Sequence, residues 1–151
     1  MLSLAVAASL LGSAAAWDHV LAAGAIGIVV PRGPWVATVE VSGGGLIGGQ
    51  VGMLGGAIRL GGGRRLGWVD LRAELVAAPI AVSTGAGDHT ALLGAGASAR
   101  LRVPVTARVR GVVAVGLDAF ATRSEYQLMG SPVMATPWAA PWLAAGVEVA
   151  P

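Results

Sequence analysis

The chain has 151 residues, of which 55% are hydrophobic and 12% are charged, and its mean hydropathy is +0.73. A soluble domain typically has about 25% charged residues, so this composition excludes a disordered chain and argues against an ordinary water-soluble globule. The net charge of +2, with arginines spread along the chain, argues against nucleic-acid binding, and the lack of cysteine excludes thiolate chemistry and disulfides.

Residues 1–16 allow two interpretations. The segment is apolar and ends in Ala14, Ala15 and Ala16, as a signal peptide would, but it lacks the positively charged start of such peptides. Its alternation of Leu2 and Leu4 with small residues is typical of a β-strand and slightly favours that interpretation.

Apolar and polar residues alternate with a period of two over most of the chain. In the segment 67–77, the odd positions are Gly, Val, Leu and Ala, whereas Asp70, Arg72 and Glu74 occupy even positions. Successive side chains of a strand point to opposite faces, so such a segment has one apolar and one charged face. Membrane-spanning strands show this pattern and need only about 9–11 residues each. The alternation recurs over 35–41, 91–103, 108–121 and 143–149.

The predicted fold is all-β: an antiparallel up-and-down transmembrane β-barrel of about eight strands. Tight turns are predicted at 31–34, 61–65 and 104–106, longer loops at 81–89 and 123–140, and short breaks at 17–20 and 43–45. Short turns on one rim, together with both termini, and longer loops on the other are typical of bacterial outer-membrane barrels. Residues 17–151 are therefore assigned to an outer-membrane β-barrel domain, and export is expected under either interpretation of residues 1–16. The predicted strands cover about 2–14, 21–30, 35–43, 46–60, 66–80, 90–103, 107–122 and 141–150.

The charged faces predict a closed interior that is filled by paired charges. Five acidic and five basic side chains fall on these faces, although the arginines nearest the 104–106 turn could instead lie at the rim. Four tryptophans, Trp35, Trp68, Trp138 and Trp142, are predicted to anchor the barrel at the membrane interfaces. The predicted network consists of Glu40, Asp70, Arg72, Glu74, Arg100, Arg102, Arg108, Arg110, Asp118 and Glu148.

From Asp88 onward the chain resembles the C-terminal half of small outer-membrane β-barrel proteins of GC-rich Gram-negative bacteria. The resemblance covers less than half of the chain, and two features depart from it. The chain ends in Val149, Ala150 and Pro151 rather than in an aromatic residue, and seven aromatic residues are few for two interfacial rings. The residues that carry it are the hairpin 101–106, the strand 113–119, the loop with Tyr126 and 130–133, and the closing segment 141–149.

Three alternatives stay open at this point. The first is a Rossmann-like nucleotide binder. Residues 43–48 match the GxGxxG pattern of such proteins, and Asp70 follows at about the distance of their ribose-binding acid. The second is a helical membrane protein, in which the glycines of the segment 44–56 could let transmembrane helices pack closely. Asp88 and His89 could serve a small barrel enzyme, with a nucleophile or activated water supplied by Ser83, Ser124, Glu125 or Ser131, and a narrow channel is a further variant.

The favoured function is a structural or surface-interaction role in the bacterial outer membrane, without catalysis. No cofactor and no metal site are expected, because two histidines and scattered carboxylates do not form a ligand set. The expected partners are outer-membrane lipid and the barrel assembly machinery, with no nucleic acid and an extracellular ligand that the sequence does not specify. The loop 123–140 is the best candidate contact surface.

Overall fold

Eight strands close into an antiparallel barrel in a computed structural model that describes residues 2–11, 19–47, 52–83, 88–122, 125–128, 131–135 and 138–150. A separate hairpin is formed by β8 (Glu125–Leu128) and β9 (Ser131–Ala135). The barrel strands are β1 (Leu2–Leu11), β2 (His19–Arg32), β3 (Trp35–Ile47), β4 (Gly52–Leu66), β5 (Val69–Ser83), β6 (Asp88–Pro104), β7 (Val109–Phe120) and β10 (Ala139–Val149).

Each barrel strand pairs with its neighbour in the sequence, and the first strand pairs with the last. Leu2 lies opposite both Ile28 of β2 and Val149 of β10, so the hydrogen-bonded ladder runs around the whole barrel. The strand order is β1-β10-β7-β6-β5-β4-β3-β2, with antiparallel pairing throughout. The prediction of an antiparallel up-and-down barrel of about eight strands is confirmed.

The two rims differ in the length of their connections. On one rim, which we call the short-turn rim, β2–β3 and β4–β5 are joined by two-residue turns, each with a glycine of positive φ, Gly33 at 57° and Gly67 at 62°. A left-handed backbone is costly for residues with a Cβ, which explains glycine at these two positions. The opposite rim, which we call the long-loop rim, carries the β8–β9 hairpin between β7 and β10.

Burial alternates along the strands and separates an aliphatic outside from a polar inside. Val115, Leu117 and Leu143 are about half exposed on the outer face, whereas Asp118 is buried at 3% exposure. The outer face is thus suited to lipid, and the charged side chains are turned inward, as in membrane barrels with a filled interior.

Two predicted breaks were wrong because glycine runs were interpreted as turns. Residues 43–45 continue β3, where they pair with both β2 and β4. Residues 61–65 belong to β4, and the chain turns only at Gly67 and Trp68. Glycine is compatible with a strand at these positions because the adjacent strands on both sides supply partners for its backbone hydrogen bonds.

The helical and nucleotide-binding alternatives do not agree with this fold. Residues 43–47 lie in β3, so no helix follows the GxGxxG pattern within the described residues, and Asp70 points into the barrel. Across the part of the chain that the structure describes, there is no helix of the length and apolar character needed to cross a membrane.

Candidate functional site: the charged interior of the barrel

Arg59 of β4 is the centre of the upper half of the interior, the half nearer the long-loop rim. Its guanidinium donates a hydrogen bond of 2.6 Å to Asp118 Oδ2 and lies 3.9 Å from Glu40 Oε1 and 3.7 Å from Glu74 Oε2. Ser98 Oγ donates to the other oxygen of Glu74 at 3.0 Å. One cation therefore contacts three carboxylates from three other strands.

Asp70 has the corresponding role nearer the short-turn rim, with the sign of charge reversed. This fully buried carboxylate accepts a hydrogen bond of 3.1 Å from Arg72 and lies 3.0 Å from a guanidinium nitrogen of Arg102. Arg65 Nε approaches it at 3.4 Å. Three arginines thus surround a single acid. Arg102 also donates to the carbonyl oxygen of Gly67, which ties this cluster to the β4–β5 turn.

Arg100 and Glu148 join the two clusters into one network. Arg100 donates to Glu40 Oε2 at 2.9 Å and lies 3.7 Å from Glu148 Oε1, which is in turn 3.9 Å from Arg72. Several of these pairs connect strands that are not neighbours in the sheet, such as β3 with β6 and β4 with β7. The network therefore crosses the interior instead of following the barrel wall.

Glycines on the inner face provide the space for this network. Gly27, Gly61 and Gly63 lie directly opposite Glu40, Glu74 and Arg72 on the adjacent strands. A Cβ at Gly61 would come within 2.7 Å of Glu74 Cγ, and one at Gly27 would meet the backbone of β3 at 2.9 Å. Small residues facing large ones are the usual way to fill a narrow barrel.

Trp142 was predicted wrongly as an interfacial anchor. It lies inside the barrel at 6% exposure, where its Nε1 donates a hydrogen bond of 3.1 Å to Asp118 Oδ1. The Arg59 guanidinium lies 5.0 Å from the centroid of the indole ring, within the range of a cation–π contact. The ring fits because Gly116 lies opposite it on β7. Trp35, Trp68 and Trp138 are exposed at 60%, 65% and 59%.

Arg108 was also placed wrongly in the network, because the β6–β7 turn extends over residues 105–108 and leaves this side chain exposed at the rim. Arg110 is half-buried at the same end and lies in register with Glu148. The structure brings the other eight predicted network residues together: Glu40, Asp70, Arg72, Glu74, Arg100, Arg102, Asp118 and Glu148.

Arg59 and Arg65 are the network residues that the sequence reasoning missed. Both occupy inward positions of β4, on the same face as Ala57, Gly61 and Gly63. Extending the alternation through the glycine run would have identified Arg65, but the turn predicted at 61–65 interrupted it. Arg59 lies within the predicted strand 46–60, on the face opposite Ile58 and Leu60, and was overlooked there.

A cavity of about 50 Å³ lies above Arg59, towards the long-loop rim. At about 10–15 Å³ for each water molecule, this cavity has room for a few of them. No three His, Asp or Glu side chains of the described part of the chain are grouped to hold a metal ion. The side chains of Asp88 and His89 lie outside the described residues. Polar and apolar lining residues of the cavity include Glu40, Arg59, Asp118, Ile80, Leu92 and Phe120.

A closed eight-stranded up-and-down barrel with an aliphatic exterior and an ionic interior is the fold of small bacterial outer-membrane proteins. The crystal structure of Neisserial surface protein A (NspA) is similar to this chain, with a TM-score of 0.76 over 98% of this chain and 94% of that one, at 13% sequence identity. No family model and no curated protein sequence matches the chain. The comparison supports the predicted resemblance at the level of the fold.

Proposed function

We propose that this chain is a barrel protein of the bacterial outer membrane that acts as a structural or surface-interaction protein, with an interior that is closed to solutes. Its aliphatic belt, the outward-facing band that includes Val39, Leu60, Val115, Leu117 and Leu143, would contact outer-membrane lipid. Its strands would be inserted by the barrel assembly machinery. The long-loop rim would face the outside of the cell, as the longer loops of such barrels do. The name of the neighbour NspA, a surface protein, agrees with this proposal.

The observation that carries the proposal is the network that crosses the interior. Asp70 and Glu148 are fully buried, and Arg72, Arg100 and Arg102 are at most 5% exposed. A water-filled pore would leave such side chains hydrated, whereas ion pairs between opposite walls occupy the space through which a solute would pass. An interior of this kind favours a role for the outer surface and the loops over transport.

Conductance in planar bilayers tests the closed interior. We expect no stepwise openings for the wild-type protein. R59A removes the bulky cation from among three carboxylates, so we expect it to give small, cation-selective openings. R108A, which removes an exposed arginine at the rim, is the matched control and should stay silent. Stepwise conductance of the wild type would overturn the proposal and favour the narrow channel.

An epitope accessibility experiment tests the location and the orientation. One epitope is inserted between Leu128 and Ser131, where β8 and β9 are joined, and another between Thr106 and Ala107 on the short-turn rim. We expect antibody to label intact cells only for the first insertion and to label the second only after permeabilisation. The reverse pattern, or recovery of the protein in the inner-membrane fraction, would contradict the proposal.

A further inference from the structure

Two arginines and a tryptophan lie side by side on the outer face at the short-turn rim. Arg32 of β2 pairs with Trp35 of β3, and Trp35 pairs in turn with Arg64 of β4. Residues at paired positions point to the same side of a sheet, and all three are exposed, with Trp35 at 60%. The result is an outward-facing row with the order Arg, Trp, Arg, which we call the RWR row.

The spacing of the RWR row lets both arginines reach one anion. Neighbouring strands lie about 4.8 Å apart, so the Cα atoms of Arg32 and Arg64 are about 10 Å apart across Trp35. The row is also held in place, because Arg65 N donates a backbone hydrogen bond of 2.6 Å to the carbonyl oxygen of Pro34 in the β2–β3 turn. The turn and the start of β4 are thus fixed relative to each other.

The charge of the RWR row is not neutralised by the protein as described. The five acidic side chains that the structure describes, Glu40, Asp70, Glu74, Asp118 and Glu148, all belong to the interior. Among the described residues, neither Arg32 nor Arg64 has an acidic partner. The barrel therefore has its described acids inside and presents arginine outside at this rim, which calls for an anionic partner.

The RWR row also lies close to the short-turn edge of the aliphatic belt, and on β4 the exposed Leu66 is the outward-facing residue beyond it. Leu54, exposed at 69%, and Arg64 are ten residues apart on β4. At about 3.3 Å per residue and a strand tilt of about 40°, they are separated by about 25 Å along the barrel axis, close to the height of the apolar band in outer-membrane barrels. Val39 and Leu60 lie on the belt side of the row, and both are about half exposed.

We propose that the RWR row binds the phosphate-bearing headgroup of an anionic phospholipid in the leaflet that faces the short turns; this inference rests on the proposed membrane location. Guanidinium groups bind phosphate oxygens through paired N–H donors, so Arg32 and Arg64 hold the headgroup from two sides. The indole of Trp35 lies at the interface between headgroup and hydrocarbon. One acyl chain then packs along Val39 and Leu60.

Lipid binding to the detergent-purified full chain, measured by native mass spectrometry, tests this inference. The probes are phosphatidylglycerol, zwitterionic phosphatidylcholine and water-soluble glycerol phosphate. We expect phosphatidylglycerol to bind most tightly, and R32Q or R64Q to weaken its binding about fivefold each, as expected for one arginine at an anionic surface. R108Q removes the same charge from the same rim without a tryptophan beside it, and should change binding less than twofold.

Four outcomes would overturn the inference. Equal losses for R64Q and R108Q would mean diffuse charge attraction without a site. Equal binding of phosphatidylcholine would remove the role of the headgroup charge. Equal binding of glycerol phosphate would assign the row to a soluble phosphate, and a lipid-free dimer lost in W35S would assign it to a second copy of the chain. Failure of the folded protein to enter bilayers would reject the proposed function itself, and a barrel that inserts without lipid preference would reject only this inference.

Discussion

Arg59 is the side chain on which the upper half of the interior depends. Its partners Glu40, Glu74 and Asp118 come from three different strands, and the cation is 8% exposed. Removal of one member of a buried ion pair leaves an uncompensated charge in a medium of low polarity, which is the costly case for such pairs.

We expect R59M to lower the free energy of unfolding by about 3–5 kcal/mol, because methionine fills much of the volume but leaves the carboxylates without their cation. The measurement is urea unfolding in micelles, followed by tryptophan fluorescence. R108M is the control and should stay within about 0.5 kcal/mol of the wild type. An equal loss in the free energy of unfolding for R59M and R108M would show that the buried ion pairs of Arg59 do not stabilise the fold more than an exposed arginine does.

Gly116 is the second critical position, because it makes room for Trp142. A Cβ at this position would overlap the indole ring, so G116A should displace the ring and break its hydrogen bond to Asp118. We expect a loss of about 1–3 kcal/mol, typical of overpacking, together with a changed near-ultraviolet circular dichroism spectrum.

G43A is the matched control for this variant, because a Cβ at Gly43 meets no atom within 4 Å. It should leave both the spectrum and the stability unchanged. A near-ultraviolet spectrum for G116A identical to that of the wild type would contradict the packing described here.

At the level of elements, the two-residue turns depend on their left-handed glycines. Gly67 has φ of 62°, and its carbonyl oxygen accepts a hydrogen bond from Arg102. We expect G67A to lower the free energy of unfolding by about 1–2 kcal/mol and G67N by less, since asparagine tolerates this backbone better. Denaturant unfolding of both variants decides the point. Equal stability of alanine and asparagine at this position would argue against a conformational cause.

The strands were largely predictable and their ends were not. Alternation identified the eight barrel strands, and in β2 to β7 and β10 the described side chains alternate between an exposed face and a more buried one. It failed at 43–45 and 61–63, where glycine has no side chain to show which face it occupies. The β8–β9 hairpin was missed because its strands have four and five residues, too short for a period to be detected.

The interior was predictable in composition but only partly in geometry. Eight of the predicted network residues form ion pairs across it, and Arg110 lies in register with Glu148, because charge on an alternating strand has only one protected side to face. Trp142 could have been placed inside from its own strand, because it lies six residues before Glu148 and therefore shares the inward face. The space for its ring could not be predicted in this way, because it depends on the register that sets Trp142 opposite Gly116 on β7.

For the molecule as a whole, the height of the aliphatic belt, about 25 Å, determines which hydrocarbon thickness of a bilayer it matches. A mismatch between belt and hydrocarbon thickness costs free energy that rises with each ångström. We therefore expect higher folding yields in vesicles of short-chain lipids than in vesicles with a hydrocarbon core of about 35 Å. Gel mobility before and after heating measures the yield, and equal yields in both vesicles would contradict this estimate of the belt.

The pairing of Leu2 with Val149 joins residues from nearly opposite ends of the chain. During folding the barrel therefore cannot close before β10 is available, and until then the edges of β1 and of the most recently added strand stay unpaired. Open edges readily pair with foreign strands. A chain that stops before β10 would thus lose more than one strand: it would keep two unpaired edges, on β1 and β7, as templates for association with other chains.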